Sequence, residues 1–149
     1  MHNALLLSTP FSPELTPGAI NAVRTCLKIQ PTERVVLIAD RACLEIAASL
    51  AAQLEALSAP YTAFVLEELA PRPLGDMPAE VLVALDACQV SLFAVQVQTG
   101  ELRSRMQMTD IVNARGIRHA HMVNITEQIM CDGMRADYDA VDALSVKVI

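Results

Sequence analysis

A three-layer α/β domain is what this sequence predicts, and three observations predict it. Apolar, strand-like runs recur every 26 to 29 residues, beginning at Val35, Tyr61, Val90 and Ile117. Between them lie stretches with apolar residues at helical spacing, and strands alternating with helices are the signature of βαβ units. The runs themselves are almost wholly apolar, as strands covered on both faces must be. Right-handed crossovers then place the first and third strands side by side at the centre. The expected architecture is Rossmann-like, with a parallel four-strand sheet in the order 2-1-3-4.

Each element has a local cause. Residues 1–16, with Pro10 and Pro13, are expected to be an irregular lead-in, and residues 17–149 a single domain. Thr16 before Pro17 starts a helix, because the hydroxyl can cap free N–H groups and proline fits the first helical position. Ala19, Ile20, Val23, Cys26 and Leu27 recur at helical spacing until Pro31, which lacks a backbone donor, ends the run. The strand 34–39 delivers Asp40 as N-cap of a helix from Arg41 to about Ser58, with Arg41 and Glu45 set as an i, i+4 pair. A strand from Tyr61 to Leu66 ends at Glu67 and Glu68. Pro71, Pro73, Gly75 and Pro78 then mark a loop before a helix through Ala87. The strand 90–97 is followed by Gly100, a helix of about 101–115 and Gly116 as its C-cap. The fourth strand, 117–123, reaches Asn124; Thr126 is placed to cap a helix near 127–134, and Asp137 another from Tyr138 onward. Val36, Ile38, Phe64, Leu92, Ala94 and Met122 are the expected core. The apolar stop at Val146-Lys-Val-Ile149 reads as a cut, so the chain is expected to be the amino-terminal fragment of a longer two-domain enzyme.

Composition removes several function classes. With 149 residues, 53% hydrophobic and 19% charged, the chain can bury a proper core. Its net charge is −6 and the basic residues are scattered singly, which argues against a nucleic-acid partner. No apolar run approaches bilayer-spanning length, so no membrane partner is expected. The opening Met1-His-Asn-Ala-Leu-Leu-Leu-Ser8 lacks a basic leader, and a cytoplasmic location follows as the expectation. Cys26, Cys43, Cys88 and Cys131 are isolated from one another, with no C-x-x-C, and read as small buried thiols.

Parallel sheets bind ligands at the carboxyl ends of their strands. The first βα turn, Ile38-Ala-Asp-Arg-Ala-Cys43, has no glycine that would let the backbone approach a pyrophosphate, and no G-x-x-x-x-G-K-[ST] occurs. A phospho-receiver domain would need an acceptor Asp after the third strand, where Gln96 and Gln98 stand. The candidate ligand-facing edge is therefore Asp40, Gln96, Gln98, Thr99 and Asn124, mostly amides and hydroxyls that can orient a ligand but move no proton. Ser91 lies mid-strand and Ser104 in a helix, so no nucleophile with a partnered base is assigned. His119 and His121 form an H-x-H on one strand face and could share a metal. No third ligand is adjacent in sequence, and no catalytic, cofactor-binding or metal-ligating residue is assigned. Arg103, Arg105, Arg115 and Arg118 read as a solvated face.

The segment Gly116-Ile-Arg-His-Ala-His-Met-Val-Asn-Ile-Thr-Glu-Gln-Ile-Met130, followed by Asp137-Tyr-Asp139, resembles the amino-terminal half of the aminopeptidase T family, leucyl aminopeptidase-like metallopeptidases of the thermophilic type. Pro31-Thr-Glu-Arg-Val-Val-Leu-Ile-Ala-Asp40 resembles that family's lead into its first strand. The likeness covers roughly 17–149, with Val123-Asn124 where the family has Pro-Gly and Thr32 where it has glycine. The resemblance implies a non-catalytic domain that helps wall the active-site cavity of a metal-dependent aminopeptidase-like hydrolase and supports its dimerisation. It implies as partners the chain's own carboxy-terminal catalytic domain and a second copy. It also implies a divalent metal (zinc, cobalt or manganese) held by glutamates, histidines, a tyrosine and an aspartate of the other half. This fragment alone is then expected to hold no cofactor and to hydrolyse no peptide. Two alternatives stand beside it: a self-contained small-molecule-binding or regulatory module using the Gln96–Thr99 edge, and the amino-terminal domain of a related metal-dependent ring-cleaving dioxygenase, whose architecture is similar.

Overall fold

Four strands, β1 (Val35–Ala39), β2 (Tyr61–Val65), β3 (Val90–Val95) and β4 (Arg118–Val123), pair in parallel in the order β2-β1-β3-β4. They are seen in a computed structural model, which describes residues 3–136 and Ala140. The expected cap Asp137, the helix from Tyr138 and the apolar ending lie outside the described residues. The chain moves from β1 outward to β2, then crosses back over β1 to β3, so the topology reverses between β1 and β3. Every residue of those two central strands is buried.

Alternate side chains feed two separate cores. Leu37, Ala39, Leu92 and Ala94 point to one face, where α1 (Ala4–Leu7), α2 (Thr16–Ile20), α3 (Leu44–Leu57) and α6 (Glu127–Cys131) contribute Leu6, Ala19, Leu50 and Met130. Val36, Ile38, Phe93 and Val95 point to the other, covered by α4 (Ala79–Asp86) and α5 (Leu102–Arg115) through Val81, Leu85, Met108 and Val112. This is the three-layer arrangement expected of the sequence. Of the six expected core residues, five are buried; Met122 is only partly covered, because among the described residues β4 pairs with one strand, β3.

The lead-in is less irregular than expected. Ala4–Leu7 and Pro13–Leu15 form helical turns because Leu6 and Leu15, each 1% exposed, anchor them in the core and Ser12 Oγ accepts from the Glu14 N–H. Thr16, expected as the cap, is instead the first residue of α2. That helix loosens into a π-helical turn over Asn21–Cys26, where Leu27 N–H donates to Ala22 O, and it stops at Lys28 with φ +50°, before Pro31 is reached. The i, i+4 pair of Arg41 and Glu45 does not form, because Arg41–Cys43 is a 3-10 turn and Arg41 pairs with Glu68 at 2.9 Å. Cys43 and Cys88 are buried as expected, but Cys131 is only half-buried and Cys26 is exposed. No helix among the described residues is long and apolar enough to cross a membrane.

One close approach joins the two ends of the described chain. A Cβ on Gly18 would lie 2.5 Å from the Met130 carbonyl oxygen, so only glycine lets α2 pack this tightly on α6. Nearby, Asn21 Nδ2 donates to the carbonyls of Met134 (2.7 Å) and Ala136 (3.0 Å).

Candidate functional site

The topological reversal between β1 and β3 is where such a sheet opens to a ligand. Here it is closed from within. Asp40 follows β1 and is 1% exposed. Its Oδ1 accepts from Cys43 N–H at 3.0 Å, which makes it the N-cap the sequence suggests. Its Oδ2 accepts from Gln96 N–H and from Arg72 Nη1, both at 2.8 Å. The bond from Gln96 also explains why β3 stops at Val95, two residues early: the next N–H turns to a carboxylate in place of a ladder partner.

Arg72 is the centre of this closure. It arrives on the proline-rich loop after β2 with its side chain 5% exposed. All of its donors are used: Nε to Glu101 (3.0 Å), Nη1 to Asp40 (2.8 Å) and Glu67 (3.1 Å), Nη2 to Gln96 O (2.9 Å) and Glu101 (2.6 Å). The paired bonds to Glu101 match the planar fork of a guanidinium to a carboxylate. Glu101 also accepts from the Leu74 and Gln98 N–H groups, both at 2.9 Å, and Glu67 from Arg41 N–H at 3.0 Å. Burial alone would raise the Glu101 pKa; Arg72 and the two backbone donors outweigh it and hold the carboxyl at about 2. The hydrogen bond to Glu101 leads the effects that raise Arg72 still further above its usual value. Burial, then the Asp40 charge, pushes the Cys43 thiol beside this cluster up to about 12, so it is no nucleophile at neutral pH.

The other members of the candidate edge do not converge. Gln96 Nε2 donates to Ile125 O at 2.7 Å, tying the ends of β3 and β4 together. Asn124, in the left-handed region at φ +59°, uses Oδ1 to accept from Val97 N–H at 3.0 Å. Gln98 and Thr99 are exposed on the turn before α5. Arg72 and Glu101, the residues that organise the edge, were missed in the sequence. The signal that could have found them is electrostatic: acids at the ends of two buried strands need a cation, and Arg72 is the basic residue of the loop that follows β2.

Beside the closure lies an open cleft of about 780 Å³, bordered by Pro10, Arg41, Glu45, Gln96, Thr126 and Glu127. Gln96 is the one residue of the candidate edge that lines it. Glu127 there sits above the ordinary carboxylate value because the Glu45 side chain shares a hydrogen bond with it and repels its charge. Thr126 Oγ1 caps α6 by accepting from Ile129 N–H, as its place in the sequence suggests.

A second polar cluster lies on β4. Ser91 Oγ and His119 Nδ1 are 2.6 Å apart, and His119 Nε2 and His121 Nδ1 are 3.1 Å apart. The His121 ring stacks on Phe93 with centroids 5.3 Å apart and 11° between planes. Burial first, then the neighbouring His121, hold His119 at about 4, and burial followed by the Arg105 charge lowers His121. Among the described residues no group of three or more His, Cys, Asp or Glu is placed to hold a metal ion. Comparison of the sequence with protein-family models and with curated proteins finds no match.

Proposed function

We propose that this chain is the non-catalytic α/β domain of a metal-dependent aminopeptidase-like hydrolase, walling the active-site cavity and supporting dimerisation. One observation carries the non-catalytic part: the carboxylates at the head of the sheet are committed to Arg72, whose five N–H groups are all engaged. General acid–base or metal chemistry needs groups free to exchange protons or ligands, and a saturated ion cluster supplies neither. The resemblance around Gly116–Met130 carries the class of parent enzyme. The donor set described above does not fit the divalent metal of that class, so the reading assigns the metal and its chemistry to the other half and to no residue here.

The test has two parts. The purified chain, assayed with cobalt, zinc or manganese and a leucyl-anilide, should show no turnover; chelator-sensitive turnover overturns the non-catalytic reading. Sequencing the gene beyond the codon for Ile149 should reveal an in-frame continuation rich in Glu and His, and a stop codon there overturns the parent enzyme.

The open cleft beside Gln96 favours a second reading, a small-molecule-binding or regulatory module. Saturable binding of a polar metabolite that is lost on replacing Gln96 or Glu127 would support it over the first.

A further inference from the structure

The H-x-H of β4 is part of a hydrogen-bonded chain with a fixed direction. Ser91 is fully buried, and among the described residues the only partner of its hydroxyl is His119 Nδ1. If Nδ1 carried the proton, Ser91 Oγ would accept and its own hydrogen would be stranded in the core, at the cost of an unmade bond. The hydroxyl therefore donates to Nδ1. That places the His119 proton on Nε2, which donates to His121 Nδ1 at 3.1 Å. His121 in turn must carry its proton on Nε2. The His121 ring is exposed, and its Nε2 has no partner among the described residues. The chain ends in a donor directed away from the sheet.

Arg105, on the helix that covers this face of the sheet, carries a second unpartnered donor. It lies on α5 one turn before Met108, which packs in the same core as Phe93, the ring against which His121 stacks. Arg105 Nε is buried with no acceptor, and its guanidinium forms no ion pair among the described residues. The other arginines of the helical face are engaged: Arg103 with Asp76 and Arg115 with Asp86. A water could satisfy Nε but would leave the charge uncompensated. A metal ion on the two histidines would be repelled by the Arg105 charge, which His121 already feels.

We propose that Arg105 and His121 form a binding site for an oxyanion, the carboxylate or phosphate group of a small ligand, beside β4. Ser91 and His119 are positioning residues that hold the His121 tautomer with its Nε2–H outward. The groups facing His121 are Ser91 and Phe93 on β3, His119 on β4 and Arg105 on α5, and no carboxylate is bonded to it among the described residues. As pH falls His121 can take a second proton only on Nδ1, at the expense of the bond from His119; its Nε2–H stays in place and the added charge strengthens binding.

The experiment is an NMR titration of the whole chain with inorganic phosphate and, separately, acetate, following the imidazole resonances at several pH values. Expected is a saturable shift centred on His121 and a rise in its apparent pKa. Arg105→Gln should weaken binding roughly tenfold, the worth of one charge-assisted hydrogen bond. Ser91→Ala should weaken it less and scramble the ¹⁵N tautomer signature, while Arg103→Gln should change neither. Tighter phosphate than acetate assigns a phosphoryl ligand, and the reverse a carboxylate. If Arg105→Gln does not fold, His121→Gln at an exposed position makes the same comparison. No saturable shift with either anion at tens of millimolar, or an undiminished shift in the folded variant, overturns the proposal.

Discussion

The head of the sheet and its β4 edge both gather charged or titratable groups, and they treat them in opposite ways. At the head, Arg72 meets Asp40, Glu67 and Glu101, and every donor has its acceptor. At the edge, Ser91, His119 and His121 form a relay whose outer ring nitrogen has no partner among the described residues, and Arg105 on α5 has a buried Nε with none. Buried polar groups are stable when fully partnered and costly when they are not. A saturated cluster is a structural joint, and an unsaturated one is a place where something else can bind. Polarity at the end of a strand is thus a poor guide to function until its hydrogen bonds have been counted.

The comparison breaks most visibly at Arg72. Arg72→Met removes the cation and leaves three carboxylates facing one another, two of them almost fully buried, and should cost about 3–5 kcal/mol. Urea denaturation measures it; a loss below about 1 kcal/mol would mean the cluster is not a joint. Glu101→Gln keeps the shape but removes the charge from the forked pair and should cost about 1.5–3 kcal/mol by the same measurement.

Acid separates the two regions. His119 is held at about 4 against an ordinary 6.5, so it is neutral in the folded chain and its contribution is present above 6.5 and lost as pH falls towards 4. Glu101 is held at about 2 against 4.5, so its contribution is present above 4.5 and lost as pH falls towards 2. Stability should therefore fall in two limbs, the edge yielding before the head. His119→Gln should flatten the first limb only and Glu101→Gln the second only, read from urea midpoints across pH. The smallest effect belongs to Arg41→Ala, which breaks a solvent-exposed pair with Glu68 and should leave the urea midpoint almost unchanged in the same assay.

The fold was legible where its causes are local or periodic. The spacing of apolar runs and the right hand of crossovers were enough for the strand order, and capping chemistry was enough for Asp40, Thr126 and Gly116. The head of the sheet was legible only in part. Asp40, Gln96 and Asn124 were marked as its polar residues, but Arg72 lay hidden in a proline-rich loop, and the bonds that unite it with Glu101 span 29 residues of sequence. No period or dipeptide announces a contact of that kind. The lead-in was misjudged for a similar reason: Leu6 and Leu15 find their partners in the core, so prolines that suggest irregularity locally are overridden by burial.

The tight seat of Gly18 against Met130 has a consequence for how the protein is made. The neighbouring bonds from Asn21 to Met134 and Ala136 join residues 113 and 115 positions apart. The Gly18 face of α2 must wait for α6, far along the chain, before it is covered, whereas the face against α3 can be covered much sooner. Contacts this distant slow folding, because a large loop must close before they repay its entropy. Until α6 has been made, the growing chain carries the Gly18 face of α2 without its partner, even though α3 can already pack on the helix.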